Sequence, residues 1–461
     1  MPEQVRCLVT GATGYIGGRL VPRLLDEGHH VRALARNPDK LAQVPWRQQA
    51  ELARGDLGDV DSLIAAFDGS DVVYYLVHSM GTSKDFAAEE TRAARNVVTA
   101  ARRAGVRRLV YLSGLHPENS DLSPHLASRK AVGDALIGSG VETVVLQAGV
   151  VIGSGSASFE MIRHLTDRLP VMTTPKWVHN KIQPIAVRDV LYYLAAAATA
   201  PVPKSRTWDI GGPDVLEYGD MMRVYAQVTG LGNRYLFVLP FLTPAIASLW
   251  VGAVTPIPPG LARPLVESLE CDAVMRNSDI DGIIGPPPDG LIGYRRAVEL
   301  ALARAARGVP EPTWSSLRSE PAAALPTDPA WAGEIVYTDV RTATTTAEPA
   351  NVWKAAEDVV NSRAADWKVE ERTAGTLLRL RSTKRAPGRE WLEIAVTRQD
   401  GRSTRYAQRS TFLPRGIPGR VYWFLVRPMR TAAMRARARR VVGSVRQSGV
   451  RPRTSGAAQE P

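Results

Sequence analysis

Cysteine is almost missing from this 461-residue chain. Cys7 and Cys271 are its two thiols, too few for a disulfide framework or a thiolate metal cluster, so no metal site is expected and a reducing, cytoplasmic setting is. No leader pattern of basic and then apolar residues stands ahead of Val5, because a glycine-rich strand pattern begins almost at once. Acidic residues run out toward the other end. From residue 401 onward there are fourteen arginines, no lysine and one acid, Glu460, so the formal charge of +12 is that segment's +13 against −1 for the other 400 residues. Such a segment suits an anionic partner, a membrane surface or a nucleic acid, or is simply an arginine-rich solvated helix and tail. Nucleic acid is disfavoured, since no recognised motif and little aromatic interleaving follow Phe424. Charge of either sign is absent from residues 235–262. That length would suffice for a membrane span, but Pro240, Pro244, Pro256, Pro258 and Pro259 interrupt a regular helix. An apolar lid or an interfacial segment is expected there instead.

The most informative stretch that is present is Cys7-Leu-Val-Thr-Gly-Ala-Thr-Gly-Tyr-Ile-Gly-Gly18. It reads as a buried strand (5–10), a glycine-rich turn and a helix start at Tyr15. Gly11 and Gly14 let the backbone turn tightly and approach a pyrophosphate, and Gly17 lets the helix pack on the strand, with helix N–H groups facing the phosphates. Thr13, Tyr15 and Ile16 belong to the same wall. Continuous apolar runs at 31–35, 51–54, 72–77, 109–113 and 143–148 predict further strands of a parallel sheet, with helices at 59–67, 86–104 and 128–139 between them. The alternation predicts an α/β, Rossmann-type doubly wound parallel sheet over residues 1–308, with a small substrate lobe mainly in 150–308. A Pro/Ala/Ser-rich linker (309–330), an α+β domain (331–445) and a disordered basic tail (446–461) complete the expected organisation.

Arg36 stands at the end of the second strand, where an enzyme preferring NAD carries an acid for the ribose 2′-hydroxyl. An arginine there suits a 2′-phosphate, with Lys40 one turn further on, so NADP(H) is favoured over NAD(H). Asp56 and Leu57 follow the third strand, where an acid can meet the adenine amino group. Leu76, Val77 and His78 follow the fourth and line the ribose side. Asp189 is expected to cap the helix after it.

The strings "VTGATGYIGG", "ALARNP", "ARGDL", "VYYLVHSMG", "LVYLSGL" and "IAVRDV" resemble the atypical extended short-chain dehydrogenase/reductases, in particular the NmrA-like and YbjT-type NAD(P)H-binding proteins and the group related to the 39-kDa subunit of respiratory complex I. The resemblance implies catalysis by a serine at the end of the fifth strand, matched by Ser113, and by Tyr-x-x-x-Lys on the next helix, whose lysine matches Lys130. The tyrosine position is Leu126, and neighbouring frames offer only His125 or Ala127. Leucine transfers no proton, so three readings stay open. His116, His125 or His78 supplies the proton; or the acceptor, a quinone for example, needs no such donor; or the protein binds the dinucleotide without turnover, as a sensor or a membrane-complex assembly factor. In extended members the segment after the sixth strand passes the nicotinamide, which implicates Gln147 and Gly149. The leading expectation is an NAD(P)H-dependent oxidoreductase acting on a hydrophobic small molecule: a quinone, a lipid or a polyketide-like carbonyl.

In the C-terminal part, "AEPANVWKAAEDVV", "LLRLRSTKR", "EWLEIAVTR" and "FLPRGIPGRVYWFLVRPM" resemble the helical-grip proteins, SRPBCC-like and of DUF2867 type. The resemblance implies a sheet curled around a helix over an apolar cavity, with Trp353, Trp391, Tyr422, Trp423 and Phe424 as candidate lining. A last helix at 426–445 is amphipathic, and its outward arginines (Arg430, Arg435, Arg437, Arg439, Arg440) suit peripheral association with anionic lipid at the inner membrane face.

Overall fold

The computed structural model describes residues 4–77, 86–118, 122–239, 248–249, 251–252, 254–307, 325–328, 337–362, 364–399 and 403–448. It divides into two compact units, Met1–Gly333 and Glu334–Pro461.

The first unit is built on a parallel sheet. Its strands in chain order are β1 (Arg6–Val9), β2 (His30–Ala35), β3 (Glu51–Arg54), β4 (Val72–Tyr75), β5 (Arg108–Gly114) and β6 (Glu142–Ala148), followed by three short lobe strands β7 (Val151–Ile152), β8 (Val171–Thr174) and β9 (Lys181–Ile182), then β10 (Ile185–Ala186) and β11 (Arg206–Ile210). The seven-stranded sheet has the order β11-β6-β5-β4-β1-β2-β3, and every pairing in it is parallel. The chain leaves β1 toward β2 and β3 on one side and returns to β4 on the other. This reversal opens a crevice at the carboxyl ends of β1 and β4. Helices α1 (Tyr15–Asp26), α2 (Val60–Phe67), α3 (Phe86–Arg103), α4 (Pro124–Ile137), α5 (Ala157–Arg168) and α6 (Val187–Ala196) follow in chain order. Leu8, Val9, Val73, Tyr74, Leu109 and Val110 are fully buried, because helices cover both faces and strand side chains alternate between them.

Three local expectations are corrected. Helix α4 begins at Pro124, four residues earlier than the pattern suggested. Ser123 caps it, its hydroxyl accepting the Leu126 N–H at 3.3 Å, and Pro124 fills the first turn. Asp189 does not cap α6, whose N-cap is Ala186. Its carboxylate instead accepts the Ile292 N–H at 2.9 Å and ties two distant segments together, and burial raises its pKa to about 6. The linker is anchored at its far end. Leu325 is buried against Gly18, and Asp328 grips the fully buried Arg19 with two hydrogen bonds of 2.9 and 2.7 Å.

The lobe carries its own core, with Phe159, Ile162, Tyr218, Met221 and Val266 at its centre. Its strands pair β7 with β10, β8 with β13 (Tyr235–Val238), and β9 with β12 (Leu216–Glu217). Of the uncharged run, β13 and the start of the helix Pro259–Glu267 are described, while Pro240 and Pro244 lie outside the described residues. Among the described residues no helix is long and apolar enough to cross a membrane.

The second unit is a five-stranded antiparallel sheet, in order β14 (Tyr337–Thr345), β18 (Ser403–Pro414), β17 (Gly388–Gln399), β16 (Leu377–Ser382) and β15 (Trp367–Thr373). Helices Pro349–Asn361 and Gly416–Ser448 pack on it. The second helix starts ten residues before its predicted start and runs past 446 into the expected tail. Pro428 sits inside it on an exposed position. Trp353 packs in the core, and Trp423 stacks between Tyr337 and Phe412 at centroid distances of 5.1 and 5.5 Å. The Trp391 indole donates to Glu370 at 2.9 Å, and Phe424 faces outward, 61% exposed. Trp353 and Trp423 are therefore core packing, and Phe424 is surface.

Candidate functional site: a dinucleotide cleft with a polar side pocket

A cleft of about 820 Å³ opens at the crevice predicted by the strand order. Its first wall is the turn after β1. Gly11 has φ +69°, and a Cβ there would lie 2.9 Å from the Leu76 carbonyl oxygen. Gly14 donates its N–H to the Gly11 carbonyl at 2.8 Å. A Cβ on Gly17 would lie 2.3 Å from that same carbonyl oxygen. The Thr10 hydroxyl accepts the Leu76 N–H at 3.0 Å and joins the turn to the end of β4. No side chain caps α1, so its first N–H groups are free for an anion on the cleft wall formed by Thr13, Gly14, Tyr15 and Ile16. The turn thus fits a pyrophosphate, with no room for a side chain at two of its three glycines.

Arg36 is exposed at the cleft wall. Lys40 lies on the 3-10 turn Pro38–Leu41 and is not among the cleft-lining residues. Asp56 lines the cleft with its carboxylate accepting the Gly58 N–H at 2.8 Å, and Leu57, Leu76 and Val77 line it too. His78 lies outside the described residues.

The deep end holds Ser113. It is 3% exposed, and among the described residues its Oγ makes no hydrogen bond of ordinary geometry, with the Tyr111 hydroxyl beside it. Leu126, buried, lines the cleft against Gly114. Hydrocarbon therefore stands where the parent family has its tyrosine. His125 also lines the cleft. Its Nε2 accepts from Arg129 Nε at 3.1 Å, and because a guanidinium only donates, the ring proton is on Nδ1. Burial, and then the Arg129 charge, push this imidazole down to about 3. At neutral pH it is an uncharged hydrogen-bonding group and not an imidazolium acid.

Lys130 does not reach the cleft. It pairs with Asp134 at 2.6 Å, half-exposed, and faces a second pocket of about 400 Å³. Lys130 is about 40° from Leu126 around the helix, so spacing would allow it into the cleft; instead α4 sits on the sheet so that His125, Leu126 and Arg129 line the cleft and Lys130 faces the second pocket beside Asp134. Arg129 lines both pockets, as Ser113 does. Among the described residues Arg129 has no carboxylate partner, and its Nε donates to neutral His125.

Gln147 also faces the second pocket, inside a chain of bonds that the sequence did not reveal. Asp209, fully buried at the end of β11, holds Arg276 through contacts of 2.9 and 2.8 Å. Arg276 donates to Gln147 Oε1 at 3.1 Å, and Gln147 Nε2 meets His116 Nε2 at 3.1 Å. Since arginine only donates, the amide orientation is set; His116 Nε2 accepts, and its Nδ1–H donates to the Pro117 carbonyl at 2.9 Å. Gly149 stays on the cleft, where a Cβ would come 2.5 Å from the Gln183 carbonyl oxygen. Beyond it the wall is mostly apolar, with Val150, Ile182, Tyr218, Leu265, Leu269 and Ala273 interrupted by Ser156, Ser158 and Ser268. Leu265 comes from the helix following the uncharged run. Arg129, Asp209 and Arg276 escaped the sequence reading; the one signal for Arg129 was its spacing of three from Leu126.

A switch-point cleft with a glycine cradle and an uncapped helix defines a dinucleotide-binding Rossmann protein. Residues 11–155 match the family model described as NAD(P)H-binding, and residues 358–437 match one described as a protein of unknown function, DUF2867. The matches thus place an NAD(P)H-binding pattern in the first unit and a DUF2867 pattern in the second. The chain is similar to a 3 beta-hydroxysteroid dehydrogenase/Delta 5-->4-isomerase of Mycobacterium tuberculosis, 38% identical over 122 residues, which are 24% of this chain and 32% of the relative. It thus spans about a third of the length of the first curated relatives it matches. It is also similar to a ceramide reductase of Caulobacter vibrioides, 28% identical over 234 residues, 50% of this chain and 72% of that one. In fold it is similar to the triphenylmethane reductase of Citrobacter sp. (TM-score 0.51, 18% identity, covering 65% of this chain and 99% of that one). The NADPH-dependent quinone oxidoreductase of Escherichia coli, solved with NADPH, is similar to the same degree (TM-score 0.51, 20% identity, 64% and 98%).

Proposed function

We propose that the chain is an NADP(H)-dependent reductase of a largely apolar small molecule, in which Ser113 and Arg129 hold the oxygen that gains negative charge. The observation that carries this reading is that the buried Ser113 hydroxyl and the Arg129 guanidinium, which has no carboxylate partner among the described residues, both line the cleft. The bound nicotinamide cofactor supplies the hydride. Ser113 donates a hydrogen bond to the acceptor's oxygen, and Arg129 stabilises its charge in a site partly closed to water. Neither Arg129 nor Leu126 gives up a proton. The proton that completes the reduction comes from water reaching Ser113 through the polar second pocket. The apolar wall from Val150 to Ala273 receives the body of a quinone, lipid or long-chain carbonyl, and the relative named as a ceramide reductase supports an apolar substrate.

Spectrophotometric NADPH oxidation against quinones and long-chain ketones tests this. Ser113→Ala and Arg129→Met are each expected to lower kcat/KM about 10²–10³-fold while the Kd for NADPH stays within about threefold, because both residues act on the acceptor's oxygen. Tight NADPH binding with no turnover on any acceptor would favour the second reading, a non-catalytic NADP(H) sensor or assembly factor, whose motive is Leu126.

The preference for NADP(H) rests on Arg36 and on the lack of an acid at the end of β2. Arg36→Ala is expected to weaken NADPH binding roughly tenfold and leave NADH binding unchanged, since only NADPH carries the 2′-phosphate that arginine recognises. Equal losses for both cofactors in a fluorescence titration would remove this assignment.

A further inference from the structure

We propose that the outer face of the C-terminal helix Gly416–Ser448 docks on a bilayer surface rich in anionic phospholipid. The helix has two apolar faces where a solvated one would have one. Its inner face packs on the sheet through Trp423, Met434, Val441 and Val445, all buried. At 100° per residue, the opposite side carries Ile417, Val421, Phe424, Leu425 and Met429. These are 45, 52, 61, 74 and 74% exposed. Five large apolar side chains contiguous on one stripe mark a contact surface and not scattered surface hydrophobics.

Charge identifies the occupant. Further along the same stripe, spaced at helical intervals, stand exposed Arg435 and Arg439, with Arg440 beside them. Arg420 and Arg427 flank the apolar half. No acidic residue occurs anywhere from Gly416 to Ser448. A helix whose outer face is apolar in its first half and cationic in its second matches the boundary of an anionic bilayer, where side chains such as Phe424 and Leu425 enter the acyl region and guanidinium groups meet phosphates. The apolar half, from Ile417 to Met429, is about 20 Å long at 1.5 Å per residue, so the helix lies in the interface and does not cross it. This inference is independent of the reductase reading, because it uses only the second unit.

Flotation of the full chain with lipid vesicles tests it. Binding to vesicles of equal parts phosphatidylglycerol and phosphatidylcholine is expected at low salt, with at least tenfold weaker binding at high salt and to phosphatidylcholine alone. Phe424→Asp combined with Leu425→Asp, and separately Arg435→Glu combined with Arg439→Glu, should each weaken binding at least tenfold. Both pairs are exposed, and unchanged circular dichroism and NADPH affinity report that the variants fold. The proposal is overturned by absence of wild-type binding at low salt, or by equal binding of either variant. It is also overturned if light scattering shows a dimer that the Phe424/Leu425 variant dissolves, which would assign the stripe to a second copy of the chain.

Discussion

Gly17→Ala is expected to weaken NAD(P)H binding by about 10²-fold or more. On propensity alone the substitution should help, because alanine in a helix is favoured over glycine by about 1 kcal/mol. Packing reverses the sign. The new Cβ would sit 2.3 Å from the Gly11 carbonyl oxygen and 2.8 Å from its carbon. Gly11 cannot retreat, since it is already in the left-handed region at φ +69° with the Leu76 carbonyl close on its other side. Relief requires α1 to move away from β1. That breaks the 2.8 Å bond from Gly14 N–H to the Gly11 carbonyl and carries the helix N-terminus out of line with the phosphates. Fluorescence titration with NADPH measures the loss. Gly232→Ala is the control, because nothing lies within 4 Å of a Cβ there, and its affinity should match wild type. A Gly17→Ala protein that binds normally would show that the turn does not hold the pyrophosphate.

Asp328→Ala is expected to cost about 3–5 kcal/mol of stability in the first unit, although Asp328 lies in what reads as a linker. Arg19 has no exposed side-chain surface and receives both Asp328 oxygens. Removing the carboxylate strands a guanidinium in the interior, and this penalty is much larger than the net worth of the pair. The expected fall in Tm is roughly 5–15 °C, read from the unfolding transition that NADPH shifts upward. Arg19→Met with Asp328→Ala should recover most of the loss, since no charge is then left behind. The effect should reach the cleft as well: the Arg19 guanidinium lies 4.1 Å from the Tyr15 ring centroid and donates to the Tyr15 carbonyl at 3.0 Å. Tyr15 is a wall of the dinucleotide cleft, so a small loss of NADPH affinity should accompany the thermal shift.

Much of the first unit was legible because its signals are local. Val31–Ala35 and Val72–Tyr75 are buried on both sides, so each reads as an unbroken apolar run. The turn from Gly11 to Gly17 needs glycine for reasons of backbone geometry within one strand–helix unit. The start of α4 was misplaced although Ser123-Pro124 is a start signal, because the apolar pattern of the helix is weak there. The start of Gly416–Ser448 is hidden in the sequence because its first turn carries Pro418 and its outer face is apolar rather than polar. The family pattern puts Lys130 in the site, whereas the way α4 sits on the sheet turns it to the second pocket beside Asp134.

The glycine cradle, the parallel strands, the Arg36 at the end of β2 and the arginine-rich end follow from residue order alone, since each depends on neighbours within about one supersecondary unit. Tertiary structure alone decided which side chains share a site. Arg276 meets Asp209 across 67 positions and Gln147 across 129, and Asp328 meets Arg19 across 309. A buried charge must find its counter-charge wherever the fold brings one, and no spacing in the chain encodes that meeting. The same holds for Ser113 and Arg129. That both line one cleft is a consequence of how α4 sits on the sheet, and on it the proposed chemistry rests.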